Sequence, residues 1–385
     1  MRFELSEDQE FLVDTTQRFL AKELPPTALR AWTRNAAGEG YRQWWRTCAG
    51  LGWAGVFAPE SSNDYGSVSG TPVIDAAIVS EIAGGSLAPS ALLGASVAVR
   101  AIGRACPDDT ADLQGLLEGS RIATLALEEP SGNWNLDTIA TAARRDRGDL
   151  VVTGIKANVP DITTADIFVV TCRVDDSIGL VLVPASVAGV GVTPGQGLDV
   201  LREFGEVHFD SVRVSADALL CIGSGSARLA EEARRLATCL QLAESVGAVD
   251  RLSTLLIEYA RHRHAFGRPI GGFQALKHRI ADITLLVESC KGAADAAVDA
   301  VSNDSEDADL LISVAKSYIG DRSIRIAQEC TQMFGGIGLT WEHDAHLYLR
   351  RVTSNRALLG TPEQHRRRVT EILRVRDAVG GKDVH

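Results

Sequence analysis

The stretch "LVVTGIKANVPDITTADIFVVTCRVDDSIGLVLVPA", residues 150–185, decides the architecture. Its short runs of Val, Ile and Thr are broken by polar residues, which is the texture of successive strands. Similar runs flank it: "RIATLALEE" (121–129), "TIATAARR" (138–145) and "EVHFDSVRV" (206–214), with Arg147-Gly148-Asp149 as a turn. Residues from about Arg121 to Val214 therefore read as a β-domain.

Both sides of this domain read as helix. On the amino-terminal side, Ser6 and Gln9 make a capping box, and Phe11, Leu12, Phe19 and Leu20 recur at helical spacing until Pro25-Pro26 stop the segment. Further helices are predicted over Tyr41 to Leu51 and Thr71 to Ile82, within a helical region that runs to about Pro107. On the other side, "CIGSGSARLAEEARR" (221–235) leaves the strands through a Gly/Ser loop and starts a helical run to about His264. Helices follow over Gly272 to Val301, Ala308 to Gly335 and His343 to Leu359, with "SNDSEDAD" (302–309) as an exposed connector. The fold class is α+β in the order α, β, α, with domains predicted at 1–120, 121–216 and 217–385. No repeat of fixed period marks a solenoid.

Composition narrows the function. A chain of 385 residues that is 45% hydrophobic can bury a large core, and its formal net charge of −11 argues against a nucleic-acid binder. The start "MRFELSEDQEFLVD" has no charged segment leading into an apolar one, and no apolar run approaches the ~18 residues that a membrane helix requires. The expectation is a cytoplasmic protein without a membrane span. The seven cysteines are widely spaced with no C-x-x-C pair, so they read as reduced, buried residues and not as a disulfide framework or a zinc site.

Several features admit two readings. The "GGIG" of residues 335–338 lacks the full dinucleotide fingerprint and follows a helix instead of a strand, so it reads as a helix stop or as bare backbone kept for close approach. His343 and His346 could lie on one helical face as metal ligands, but no acidic or thiol partner stands at ligand spacing and no metal is expected. The chain carries no recognisable Cys–His or Ser–His–Asp pattern. Arg261, Arg263, Arg268, Lys277 and Arg279 form a basic run in an acidic protein, either a solvated helix end or a pyrophosphate site.

Taken together, "RHRHAFGRPIGGFQALKHRIAD" (261–282), "QECTQMFGGIGLTWEHDAHLYLRR" (328–351) and "LLGTPEQH" (358–365) resemble the carboxyl half of acyl-CoA dehydrogenases, flavoenzymes that desaturate acyl-CoA thioesters. The resemblance extends over nearly the whole chain and takes in "REFGEVHFDSVRV" (202–214) at the close of the β-domain. It implies an amino-terminal helical domain, a middle β-barrel-like domain and a carboxyl-terminal four-helix bundle. It also implies FAD, an acyl-CoA substrate and electron delivery to an electron-transferring flavoprotein. The cofactor residues carried over are Arg263, Phe266 and Gln274 from the first motif, Gln332, Gly335 and Gly336 from the second, and Thr361 beside Gly360 from the third. Guanidinium suits pyrophosphate oxygens, an aromatic ring covers an apolar cofactor face, and glycine removes the Cβ that would block approach. In the family these contacts cross a subunit interface, so an oligomer is implied.

The departures matter as much. The family's catalytic glutamate before "GT" is Leu359 here, and the alternative base position on the long helix is Ala237, with Thr238 beside it. Neither leucine nor alanine can accept a proton. Glu244, seven residues past Ala237 and on about the same helical face, is the closest substitute carboxylate; it also reads as a structural residue. In the β-domain the family's "TEP-x-(A/S)-GSD" and "K-W-(I/V)-(T/S)" stretches hold the flavin ring, and this chain has "EEPSGNWN" (128–135) and "KANVPD" (156–161). Asn158 and Pro160 or nearby residues stand where the ring-covering tryptophan and the hydroxyl residue are expected, and proline has no N–H.

This split resembles the base-lacking subunit of heteromeric α2β2 actinobacterial dehydrogenases that act on CoA thioesters of sterol side chains. The leading expectation is thus a subunit that donates cofactor contacts to a second acyl-CoA dehydrogenase-like chain. Two others stay open: a self-sufficient homotetramer with an atypical base such as Glu244, and a flavin-free scaffold. The small residues Ala237, Ala243, Ser245 and Gly247 fit either a roomy substrate cleft or close helix packing.

Overall fold

A computed structural model of the chain describes residues 5–32, 38–59, 62, 65–89, 91–105, 110–132, 134–175, 177–220 and 224–380. Cys106, Cys221 and Asn133, and much of the Gly/Ser loop leading out of the β-domain, lie outside them. The chain divides into two compact units, Leu5–Val79 with Ala88–Ala237, and Ser80–Leu87 with Thr238–His385.

In the first unit, helix α1 (Glu7–Glu23) opens with the expected capping box. The Gln9 N–H donates to Ser6 Oγ and the Ser6 N–H to Gln9 Oε1, both at 3.2 Å. Its buried stripe is Gln9, Thr16 and Leu20, so Phe11, on the opposite side, is 67% exposed. Phe19 stacks on Trp44 at 5.3 Å. Pro26 starts helix α2 (Pro26–Trp32), where a missing N–H is harmless. Helices α3 (Glu39–Gly50), α4 (Pro72–Gly85), α5 (Leu92–Ala105) and α6 (Thr110–Leu117) follow.

The sheet contains β1 (Ala123–Ala126), β2 (Ala142–Asp146), β3 (Asp149–Pro160), β4 (Ile167–Val174), β5 (Ser177–Pro184), β6 (Val190–Pro194) and β7 (Phe204–Ser215). Its order is β1-β4-β2-β3-β7-β6, with β5 also paired to β4. Strand β4 runs parallel to β1 and β2 and antiparallel to β5, which gives a curled, mixed sheet. A strand with partners on both edges is buried along its length, as the run Ile167–Cys172 is. Leu150, Val152, Phe168, Val170, Val183 and Val207 share one core. The β2–β3 hairpin turns on Arg147 (φ 55°) and Gly148 (φ 93°), the two positive values that a type I′ turn requires. The start of the predicted "TIATAARR" strand is instead a 3-10 turn at Leu136–Thr138. Strand β6 was not expected, because it is largely exposed and lacks an alternating pattern.

The turn after β3 carries a titratable contact. The Tyr41 hydroxyl donates to Asp161 Oδ1 at 2.7 Å, and burial pushes the Asp161 carboxyl up to about 6, although the Tyr41 bond and Arg202 pull it back. The folded chain therefore holds this proton more tightly than the unfolded chain. The contribution to stability is greatest below the unfolded carboxyl range and falls as pH rises through about 6. Asp161 is partly solvated, so the loss should be on the order of 1–2 kcal/mol. Denaturant melts between pH 4 and 7 should be steeper in pH for the natural chain than for Asp161→Asn; equal slopes would contradict the assignment.

The second unit is helical: the greater part of α7 (Ser224–His262), then α8 (Gln274–Ser302), α9 (Ala308–Phe334), α10 (Ala345–Ala357) and α11 (Pro362–Gly380). Helix α9 packs on α8, α10 and α11. The end of α4 meets α7 through glycines. A Cβ on Gly84 would lie 2.1 Å from the Glu244 carbonyl oxygen, and one on Gly247 would lie 1.8 Å from that of Glu81. The small-residue face of α7 at Gly247 thus serves close packing. Cys48, Cys172, Cys239, Cys290 and Cys330 are buried thiols outside any disulfide. Among the described residues no helix is long and apolar enough to cross a membrane.

Candidate functional site

The first motif lies at the end of α7. Its backbone closes through the Arg263 N–H to Tyr259 O and the Ile270 N–H to Arg263 O, both 2.8 Å. A two-stranded hairpin, β8 (His264–Ala265) with β9 (Arg268–Pro269), turns on Phe266 (φ 51°) and Gly267 (φ 78°). Phe266 at its tip is 95% exposed, and its ring meets only the edge of Phe273 at 6.2 Å among the described aromatic rings. The Arg268 guanidinium lies 4.1 Å from the centre of the Phe273 ring. Arg279 is bonded to Glu329, whereas Arg263 is exposed and has no ion-pair partner among the described residues. Gln274, the first residue of α8, is also exposed.

The second motif lies beside the first. The Tyr259 ring packs on Phe334 at 5.1 Å and its hydroxyl donates to Phe334 O at 3.4 Å, which holds the end of α7 to the end of α9. Gln332 is exposed, and its carbonyl accepts the Gly335 N–H that caps α9. The glycines have different reasons. Gly335 has φ 70°, Gly338 would put a Cβ 2.7 Å from Thr331 O, and Gly336 faces open space. Packing explains Gly338, the turn explains Gly335, and at Gly335 and Gly336 the backbone is approachable from outside.

Neither histidine of "HDAH" is arranged as a ligand. His343 packs on Phe334 at 4.3 Å and its Nδ1 accepts the Ala345 N–H, while buried His346 sits edge-on to Trp341 at 4.7 Å. Among the described residues no group of three or more His, Cys, Asp or Glu could hold a metal.

The third motif joins α10 to α11. Thr361 and Gln364 form a second capping box: the Thr361 N–H donates to Gln364 Oε1 at 2.7 Å, and the Gln364 N–H to Thr361 Oγ1 at 3.3 Å. Leu359 is left-handed at φ 58°, uncommon for a residue with a side chain. Its carbonyl lies 2.9 Å from Nε2 of fully buried His365, whose Nδ1 lies 3.2 Å from Ser313 Oγ. A carbonyl can only accept, so Nε2 carries the hydrogen.

The two positions at which the family resemblance expects a base are apolar and buried: Ala237 is 0% and Leu359 9% exposed. Glu244 is engaged on both carboxylate oxygens. Arg351 donates to Oε1 at 3.0 Å and Asn355 Nδ2 to Oε2 at 2.9 Å. Arg351 is fully buried and reaches Leu87 O as well, while Lys316 bonds the Gln241 side chain and Asn355 O. These partners come from α10 and α9, too far along the chain for the sequence pattern to reveal.

The ring-side stretches sit in the sheet-bearing unit. Glu129 accepts the Ala140 N–H at 2.8 Å, the Thr141 N–H at 2.8 Å and Lys156 Nζ at 3.2 Å. Burial would raise the Glu129 carboxyl, but the two backbone donors and the lysine outweigh it and its pKa is lowered. Burial lowers Lys156, against the pull of Glu129. Glu128, also buried, accepts from Asn158 Nδ2 at 2.8 Å. The side-chain donors of these stretches, Lys156 and Asn158, are engaged by Glu129 and Glu128 and Pro160 has no N–H, so the residues present do not fit a flavin ring. The exposed arginine, aromatic ring and glycine turn of the other unit do fit an adenine and pyrophosphate.

Comparison with known proteins agrees with this geometry. Residues 6–110 match the acyl-CoA dehydrogenase amino-terminal domain and residues 228–373 the carboxyl-terminal domain. The chain is 30% identical to acyl-CoA dehydrogenase IpdE2 of Mycobacterium tuberculosis over 94% of its length and 96% of that protein's. It superposes on the Tcur3481–Tcur3483 steroid ACAD with a TM-score of 0.86 and 25% identity, covering 97% of this chain and 99% of that one. A glutaryl-CoA dehydrogenase of Mycobacterium smegmatis, solved in complex with FADH2, shares the fold at a TM-score of 0.85 and 21% identity, over 96% and 95% of the two chains. FAD is thus a cofactor of the family, whose members are oxidoreductases, and near-complete coverage of both chains leads to one conclusion: the chain belongs to the acyl-CoA dehydrogenase family.

Proposed function

We propose that this chain is the base-lacking subunit of a heteromeric acyl-CoA dehydrogenase, assembled α2β2 with a second dehydrogenase-like chain, that acts on steroid side-chain or similarly bulky acyl-CoA thioesters. The observation that carries this reading is that Leu359 and Ala237, the two base positions, are apolar and buried, while the Glu244 carboxylate is already held by Arg351 and Asn355. Both of its oxygens are committed to buried partners, a structural use of the carboxylate that weighs against a homotetramer relying on Glu244. The likeness to IpdE2 and to a steroid ACAD named for two chains supports the assembly and the substrate class.

In this reading the chain contributes the adenine side of a FAD site. Arg263 pairs with the pyrophosphate, Phe266 covers an apolar face, Gln274 and Gln332 supply side-chain amides, Gly335 and Gly336 let the cofactor approach the backbone, and the turn at Gly360 and Thr361 adds a further contact. FAD supplies the hydride acceptor, electron-transferring flavoprotein takes the electrons onward, and the protein works in the cytoplasm. Working domains at 1–120, 121–216 and 217–385 belong to the same proposal.

The test is flavin content. The chain purified alone should be colourless, and co-expression with its dehydrogenase-like partner should yield a yellow mixed oligomer. In that complex Arg263→Ala should weaken FAD binding by about tenfold to a hundredfold, the usual weight of a charge-assisted hydrogen bond. Stoichiometric FAD in the lone chain, bleached by an acyl-CoA, would identify a complete enzyme instead.

A further inference from the structure

The turn that joins α10 to α11 is gripped by one face of α9. Asn355 O lies in the last turn of α10, where carbonyls look outside the helix for donors, and Lys316 Nζ donates to it at 2.6 Å. Three residues earlier on α9, Ser313 Oγ lies 3.2 Å from His365 Nδ1, while Nε2 of the same ring donates to Leu359 O at 2.9 Å. Ser317 Oγ lies 3.5 Å from Pro362 O, and a Cβ on Gly320 would lie 2.7 Å from Pro362 Cγ, so the helix touches the turn there. On the outer side Arg356 and Arg366 both bond Asp321 of α9, at 3.0 and 2.9 Å, and both bond Glu363 Oε1, at 2.6 and 3.2 Å. Leu359 keeps φ 58° inside this frame, and a residue with a side chain stays left-handed only where its surroundings hold it.

We infer that His365 is a positioning residue of the cofactor site: with Ser313, Lys316, Ser317 and Gly320 of α9 it braces the turn that offers Gly360 and Thr361 to FAD. The inference rests on the adenine-side reading above and adds the residues that hold one of its contacts in place. His365 is fully buried and stands behind the turn, so it acts on the cofactor only through the backbone that it bonds. The backbone strain at Leu359 is the sign of that role, because strain at a turn survives where the geometry is used. Thr361 and Gln364 close the same turn through their own capping box, so a shift at Leu359 moves the threonine with it.

The test measures FAD affinity in the co-expressed complex together with amide hydrogen exchange over residues 359–361, which needs no flavin. His365→Leu should speed that exchange at least tenfold and weaken FAD binding about tenfold, the weight of one hydrogen bond. His365→Gln keeps an N–H for the Leu359 carbonyl and should stay within about threefold of the natural chain. Adding Leu359→Gly to His365→Leu should recover most of the affinity, because glycine takes the positive φ without being held there. A merely structural histidine would show no such rescue. Gly320→Ala, which presses on Pro362 and removes no hydrogen bond, should weaken FAD binding as well, and it decides the matter if His365→Leu does not fold. Unchanged FAD affinity in a folded His365→Leu or Gly320→Ala complex would overturn the inference, and so would equal losses in the Leu and Gln variants without rescue by Leu359→Gly. The two readings fail separately. An Arg263→Ala complex that holds FAD as tightly as the natural one sinks the adenine-side reading. A weakened Arg263→Ala complex beside an unaffected His365→Leu complex sinks only the brace.

Discussion

Replacing Arg351 with alanine is expected to lower folding stability by about 3–5 kcal/mol, because it leaves a buried carboxylate without its cation. Arg351 is fully buried and bonds Glu244 and the Leu87 carbonyl, so its removal also strands an acceptor at the end of α4. Removing both charges is a different experiment. Glu244→Gln with Arg351→Met should recover most of the loss, since replacing a buried pair is often close to neutral. Denaturant unfolding of the two variants checks this, and a loss below about 1 kcal/mol for Arg351→Ala would mean the pair is solvated. The same variants separate structure from chemistry. If Glu244 were the base, Glu244→Gln would abolish flavin reduction in the assembled enzyme at full folding; the ion pair predicts that reduction survives while stability falls.

Gly247→Ala should cost about 3 kcal/mol or more, at the upper end for overpacking, because a backbone oxygen cannot swing aside as a side chain can. The added methyl would sit 1.8 Å from the Glu81 carbonyl oxygen, so α4 and α7 must separate to admit it. Gly292 is the internal control: it lies in α8, exposed, with nothing within 4 Å of a Cβ. Gly292→Ala should stabilise the chain by about 0.4–1 kcal/mol through the unfolded state. Opposite shifts in melting temperature are the expected result, and a neutral Gly247→Ala would show that the helices do not touch there.

What the sequence made legible was local. The Ser6–Gln9 box, the Arg147-Gly148 turn and the Val/Ile/Thr runs each declare themselves within a few residues, and together they fix the α, β, α order. Strand β6 escaped because an exposed edge strand needs no apolar alternation, and α11 because its few apolar residues, such as Val369, Ile372 and Leu373, lie in a strongly charged run. The motifs around Arg263 and Gly335 were readable as motifs, but their adjacency depends on Tyr259 meeting Phe334, 75 residues apart. Glu244 stood out as a carboxylate on the right face of a helix. Its commitment to Arg351, 107 residues away, is a property of packing that no local pattern encodes. The same holds for Glu128 and Asn158, which read as two losses in sequence and form one contact in space.

The backbone at Leu359 has an evolutionary consequence. Its left-handed turn is held by His365 on the Leu359 carbonyl and by the Thr361–Gln364 box, and none of these bonds uses the side chain at 359. The turn therefore does not depend on a leucine, and an unbranched carboxylate such as glutamate could occupy the same backbone. In a lineage of duplicated dehydrogenase genes, the residue that bears or lacks the base can change without rebuilding the loop that presents it, so specialisation into unlike subunits is a short step from a shared ancestor.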